Sequence, residues 1–299
     1  MDQLQAIRAF ARVVEAGNFS RAADSLQMPN ATLTKLVQAL ESHLGVRLLQ
    51  RTTRRVTVTA EGAAYYERTA RLLKELDDID ASFGSAQRKP RGPLRIDMGA
   101  SVASMIVIPA LPEFLAAYPD IRISLAVSDR HTNLIGENVD CVIRGGAVTD
   151  ETLVARQIGS APWVTCAAPA YWRAHGTPQH PHDLCDGHTL VGYLGGTGQR
   201  ALPLRFAQGA DKLEVMPPQL FGVNESNAHA AAGLAGLGIM QTFRYTARPY
   251  LLSGALVEVL PEWRPAPYPF YVVYPPNRHM SQRLRVFIDW ITARFAAAM

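Results

Sequence analysis

Residues 19–62 read FSRAADSLQMPNATLTKLVQALESHLGVRLLQRTTRRVTVTAEG, and this stretch decides the fold of the first third of the chain. A short helix is expected to begin after Ser20, a favoured N-cap type, and to run through Ala22, Ala23 and Leu26. Gln27 to Pro29 then make a tight turn. Leu33, Leu36, Val37, Leu40 and Leu44 recur at helical spacing, and Gly45 is the residue type that ends helices. Val46–Leu49 and Val56–Thr59 are short β-prone runs on either side of Arg51-Thr52-Thr53-Arg54-Arg55. Upstream, Leu4, Ile7, Phe10, Ala11 and Val14 mark one more helix, stopped at Gly17. Three helices followed by a hairpin with a basic tip describe a winged helix-turn-helix, expected over residues 1–59.

Downstream, one long helix is expected over roughly residues 60–86, within a linker spanning 60–89. Tyr65, Thr69, Leu72, Leu76, Ile79 and Phe83 are spaced 4, 3, 4, 3 and 4 apart. So narrow an apolar stripe is the seam of a coiled coil and predicts pairing with a second copy of the chain. The run Arg88-Lys89-Pro90-Arg91-Gly92-Pro93 reads as a hinge. Of the 20 prolines only Pro29 precedes it, so a helical region gives way to a proline-punctuated α/β region at 90–299. Strands are expected at 94–98, 121–127, 140–144, 161–168, 219–223, 239–242 and 268–274, with helices at 102–117, 226–235 and 281–296. Such alternation implies a doubly wound sheet, whose ligands bind beyond the carboxyl ends of its strands.

Charge follows the same division. Residues before Ala60 carry 8 Lys+Arg against 4 Asp+Glu, whereas residues 94–299 carry 16 of each. A positive excess confined to one segment suits a polyanion partner. With 48% hydrophobic and 19% charged residues the chain is globular rather than disordered. No run of about 18 apolar residues is expected, which excludes a membrane span, and Met1-Asp2-Gln3-Leu4 is not a basic-then-apolar leader, so export is not expected. Three scattered cysteines, Cys141, Cys166 and Cys185, argue against a disulfide framework and fit a reducing cytoplasm.

The FSRAAD-to-TAEG stretch closely resembles the LysR-type transcriptional regulators. The segments ALESHLGVRLLQRTTR and TAEG carry the likeness, while GLAGLGIMQTFRY (233–245) and Arg144-Gly145-Gly146 resemble the family's effector domain. The resemblance implies a homodimer or homotetramer that binds an interrupted inverted repeat in double-stranded DNA. It also implies a two-lobed, periplasmic-binding-protein-like effector domain, with lobe I at about 90–162 and 268–299 and lobe II at about 163–267. Where family members often show Ser, Gln and Pro, this chain has Pro29, Asn30 and Ala31, so the base-reading set differs.

Asn30, Thr32, Thr34 and Lys35 open the third helix, the part of a recognition helix that faces base edges. Ser20 and the wing residues Arg51, Arg54 and Arg55 suit phosphate or minor-groove contact. For a small-molecule effector, Ser101 follows a strand at the start of a helix, where free amides suit an anionic or strongly polar group, and Ser128 follows the next strand. The resemblance adds Val191-Gly192-Tyr193, Asn224 with Ser226, and Thr242-Phe243, placing Tyr193 and Phe243 over an apolar body. Ser101 and Ser226 also suit plain helix caps. His175, His180, His182, Cys185 and His188 match no common zinc spacing, and residues 192–198 lack the strand-and-helix context of a dinucleotide site. GxSxG, HExxH and Walker sequences are missing, so no enzyme is expected and no cofactor is called for. The competing class is an enzyme or transport-type binding protein with a basic helical extension.

Overall fold

The computed structural model describes residues 1–51, 56–83, 89–129, 139–195, 200–276 and 280–299. They fall into two compact units, 1–87 and 88–299. In the first, α1 (Gln3–Ala16), α2 (Phe19–Ser25) and α3 (Asn30–Leu44) precede a hairpin of β1 (Leu49–Arg51) and β2 (Val56–Val58), then α4 (Ala60–Phe83). Small residues let the helices approach: Ala6, Ala9, Ala22 and Ala23 are buried against Phe10, Leu33, Val37 and Leu40. Gly17 and Gly45 end α1 and α3 in the left-handed conformation.

Three local expectations shift. The N-cap of α2 is Asn18, not Ser20: its side-chain oxygen accepts from the amides of Ser20 (2.8 Å) and Arg21 (3.4 Å). The first wing strand begins at Leu49 because Glu41 takes the amides of Leu48 and Leu49 at 2.9 and 3.0 Å. Thr59 caps α4, accepting from the Gly62 amide at 2.9 Å. A side chain at Gly62 would run into the Leu48 carbonyl, which explains the glycine of TAEG. The expected seam on α4 also divides. Tyr65 packs against the helical core and Thr69 is buried, its hydroxyl donating to the Tyr65 carbonyl, whereas Leu72 stays 63% exposed. The side chains of Ile79 and Phe83 lie outside those described.

The second unit contains a five-stranded sheet in the order β4-β3-β5-β14-β6. Its strands are β3 (Gly92–Met98), β4 (Ile121–Val127), β5 (Cys141–Gly145), β6 (Val154–Ala161) and β14 (Tyr268–Tyr274). β3 runs parallel to β4 and β5, and β14 is antiparallel to β5 and β6, so the sheet is mixed rather than wholly doubly wound. The single strand expected at 161–168 is two, β6 and β7 (Trp163–Ala167), separated at Pro162, which has no N–H for a ladder. β7 lies between β12 (Met240–Phe243) and β13 (Val257–Val259); β8 (Leu190–Tyr193) pairs with β11 (Gln219–Val223), β9 (Leu204–Gln208) with β10 (Asp211–Val215), and a bridge from Leu190 to Ile239 joins β8 to the β7 group.

Helix Ala100–Ala117 is long and apolar enough to cross a membrane on length and composition. Its Val102, Ala103, Ile106, Val107 and Phe114 are buried with Phe287, Ile288 and Ile291 of the terminal helix Gln282–Ala298, which makes it a core helix. Residues 103–107 form a π-helical turn inside it.

Candidate functional site: a recognition helix and an effector cavity

On α3, Leu33, Val37 and Leu40 are fully buried while Thr32, Lys35, Gln38 and Ser42 are exposed, so the polar residues form one stripe at helical spacing. Asn30 is exposed at the first position and its amide nitrogen donates to Ser20 Oγ at 3.3 Å, joining the starts of α2 and α3. Thr34 is half-buried and faces the flank. Gln38 and Ser42 escaped the sequence reading, although a step of three or four from Lys35 points to both. Arg51 closes β1 opposite Val56. Arg54 and Arg55 lie outside the described residues.

The second unit holds a cavity of about 280 Å³ at the carboxyl ends of β3 and β5. Ser101, Tyr193, Ser226 and Phe243 line it; Ser128 and Asn224 do not. Ser128 instead ties its amide to the Met98 carbonyl at 3.0 Å, and Asn224 is exposed. One wall is aromatic. Trp163 lies 4.4 Å from Phe243 and 5.5 Å from Tyr268, centroid to centroid, and Phe243 stacks on Tyr245 at 5.7 Å. Gly145 makes room for that wall, since a Cβ there would stand 2.7 Å from the Tyr268 ring, which accounts for the Arg-Gly-Gly run.

The amides at the start of helix Ala100–Ala117 are not free. Asp129, which no sequence signal singled out, takes the Ala100 amide at 2.7 Å and the Ser226 amide at 2.5 Å. Ser101 donates its amide to Ser226 Oγ at 2.9 Å, and its own hydroxyl pairs with Tyr245 Oη at 2.8 Å. Ser101 and Ser226 are therefore already bonded to each other, and Ser101 to Tyr245, while Gly99 and Glu225 hold the N-cap positions. Burial, and after it the charge of Asp129, holds Tyr193 well above the ordinary tyrosine range, so it is a neutral donor. Burial, eased by the bond to Ser101, pushes Tyr245 up to about 12. His229 Nε2 donates a hydrogen bond to the Val191 carbonyl at 2.9 Å, and burial lowers its pKa. Arg144 on the wall is paired with Asp97, and Arg205 with Glu214 at 3.0 Å.

Two family models match the chain: the bacterial regulatory helix-turn-helix of the lysR family over residues 4–63, and the LysR substrate binding domain over residues 87–296. The chain belongs to the LysR-type transcriptional regulators. The HTH-type transcriptional regulator YhjC of Escherichia coli is 38% identical, with 97% of each chain covered. The HTH-type transcriptional repressor PA14_22550 of Pseudomonas aeruginosa is 36% identical over 99% of this chain and 93% of its own. Among solved structures, CrgA of Neisseria meningitidis, a LysR-type regulator, superposes with a TM-score of 0.63 at 31% identity, covering 97% of both chains. AphB, a virulence activator of Vibrio cholerae, does so with 0.61 at 29%, covering 97% of this chain and 98% of its own. This LysR-type regulator therefore couples a DNA-binding helix-turn-helix to an effector-binding α/β domain, and the enzyme or transport reading gives way to that of a regulator.

Proposed function

We propose that this regulator reads an interrupted inverted repeat in double-stranded DNA as a homodimer or homotetramer in the cytoplasm, and that it acts by binding alone, without a catalytic step. Residues 1–59 form the reading head, 60–89 the dimerising linker and 90–299 the effector domain, its lobes being 90–162 with 268–299 and 163–267. Thr32, Lys35 and Gln38 face base edges, with Asn30 and Thr34 at their margin. Ser20, Arg51, Arg54 and Arg55 fix the register on the phosphates. The effector lies against Tyr193, Ser226 and Phe243, beside the Ser101–Tyr245 pair.

The observation that carries the DNA part is the exposed polar stripe of α3 set against its fully buried opposite face. A solvated helix needs no such stripe in the segment that also holds the chain's excess positive charge. Gel-shift titration of genomic fragments at increasing salt is the test. Affinity should fall by ~10³ or more between 50 and 200 mM salt if six or more phosphates are neutralised. Lys35→Ala should cost ~1–3 kcal/mol at one or two base positions. An affinity independent of salt would overturn the reading.

A further inference from the structure

Asp129 follows β4 and stands between two helix N-termini. One belongs to the 18-residue helix Ala100–Ala117, the other to the nine-residue helix Ser226–Leu234. Its Oδ1 accepts from Ala100 and its Oδ2 from Ser226, and the Tyr193 hydroxyl also bonds to this carboxylate. An unpaired backbone amide at a helix start attracts an anion because the N–H groups and the helix dipole point the same way. Here both starts already hold one, and it is covalently part of the chain. Gly99 is shaped around it, since a Cβ at that position would sit 3.0 Å from Asp129 Oδ1.

Among the described residues that line the cavity, Asp129 is the one acid. Arg144 and Arg205 each face an acid, Asp97 and Glu214. Burial keeps His229 in its neutral form. The three groups on Asp129 are neutral donors, whereas an ionised carboxylate has about four acceptor sites, so its accepting capacity is not exhausted where it lines the cavity. The same cavity is lined by Trp163, Phe243 and Tyr268, and aromatic rings attract flat molecules and, through their quadrupoles, cations.

We propose that Asp129 is a resident anion that fills the place an anionic effector group would take, and that the cavity therefore selects a flat, uncharged or cationic molecule whose polar end donates hydrogen bonds. This rests on the reading of the cavity as the effector site. A carboxylate ligand in this cavity would meet the Asp129 charge, and among the described lining residues both arginines already face acids. An amide or amidine placed there meets an acceptor instead.

Three probes of nearly one shape separate the cases: benzoate, benzamide and benzamidine, titrated into the full-length protein by calorimetry at constant ionic strength. Benzamide and benzamidine should each bind at least tenfold tighter than benzoate. Benzoate binding as tightly as either overturns the proposal. In Asp129→Ala the order should invert, and acetate should raise the melting temperature saturably while an equal concentration of chloride does not. If that variant folds poorly, recovery on refolding in acetate against chloride gives the same readout. An Asp129→Ala protein indifferent to acetate overturns the resident-anion assignment, whatever the probes do. The acetate arm needs no effector: it can fail while the cavity remains the effector site. The effector reading fails separately, if Trp163→Ala leaves binding of all three probes unchanged.

Discussion

In the head, the groups argued to meet DNA lie between Ser20 and Arg55, on two neighbouring helices and one hairpin. The cavity instead gathers Gly99, Asp129, Trp163, Ser226 and Phe270 from across the whole second unit. The head presents its functional side chains outward on a surface fixed by a local core. The cavity's polar groups are spent largely on each other: Asp129 on two helix starts, Ser101 on Tyr245, Arg144 on Asp97. A surface of the first kind can change one contact at a time. In a cavity of the second kind, changing one polar group strands its partner, which costs more than the lost bond. If α3 reads DNA and the cavity binds the effector as proposed, DNA specificity is easily retuned along α3, while effector specificity is set by a network.

The strongest way to break this comparison is to remove a head core residue. Leu33→Ala should cost ~2–5 kcal/mol, because Leu33 is fully buried among α1, α2 and α3. Hydrogen exchange should show lost protection in α1–α3 and retained protection in β3 and β5. Parallel loss in both would mean that the two cores do not unfold separately. Next in size, Trp163→Ala should cost ~1.5–3 kcal/mol of the second unit's stability by stripping one side of the aromatic wall. Effector response should be lost and DNA affinity without effector kept, as read by gel shift with and without ligand. Loss of basal DNA binding would show that the wall also serves the head.

Leu72→Lys probes the linker. Leu72 is 63% exposed in the single chain, so folding stability should change by no more than ~0.5 kcal/mol. If α4 pairs through this face, the dimer should weaken at least tenfold in sedimentation equilibrium, because a charge replaces an apolar seam position. An unchanged dissociation constant places the seam elsewhere on the chain.

The same contrast explains what the sequence made legible. Helix periods, Gly17, Gly45 and the Thr59–Gly62 cap are local signals, and they placed the head within a few residues. In the second unit the strands with a clear apolar pattern, such as Ile121–Val127 and Tyr268–Tyr274, were also legible. β6 was not: Val154–Ala161 is an edge strand whose first four residues are all exposed, so it carries no alternation. Helix Arg244–Leu252 was hidden by its internal Pro249. Ser101 was legible from its place at a strand end and Ser226 from the family resemblance, but not the bonds that join them to each other and Ser101 to Tyr245. Nothing near Asp129 in the sequence announces that its partners are Ala100 and Ser226. That pairing exists only once β3 and β4 are in register and helix Ser226–Leu234, which follows β11 of the other sheet, lies beside them.

The smallest expected effect is a pH dependence, and it comes from buried histidines of the second unit. His229 is buried, with its ring held against the Val191 carbonyl, and desolvation outweighs that bond to lower its pKa below the ordinary 6.5. In the unfolded chain the ring titrates near 6.5, so on acidification the unfolded state takes up the proton first. Stability from this group is therefore complete above about pH 6.5 and is lost as pH falls toward the folded value. One proton limits the slope to about 1.4 kcal/mol per pH unit. His188, lowered chiefly by burial and then by His175, contributes with the same sign. Gln at position 229 keeps a donor for the Val191 carbonyl but does not titrate. Denaturant melts between pH 5 and 7.5 should thus give a shallower slope for His229→Gln than for the parent, with His188 supplying the remainder. At pH 7.5 the two should respond alike to small pH changes. A variant whose slope equals the parent's would mean that His229 takes its proton as readily in the folded protein as in the unfolded chain, and that the cavity is wetter than its burial implies.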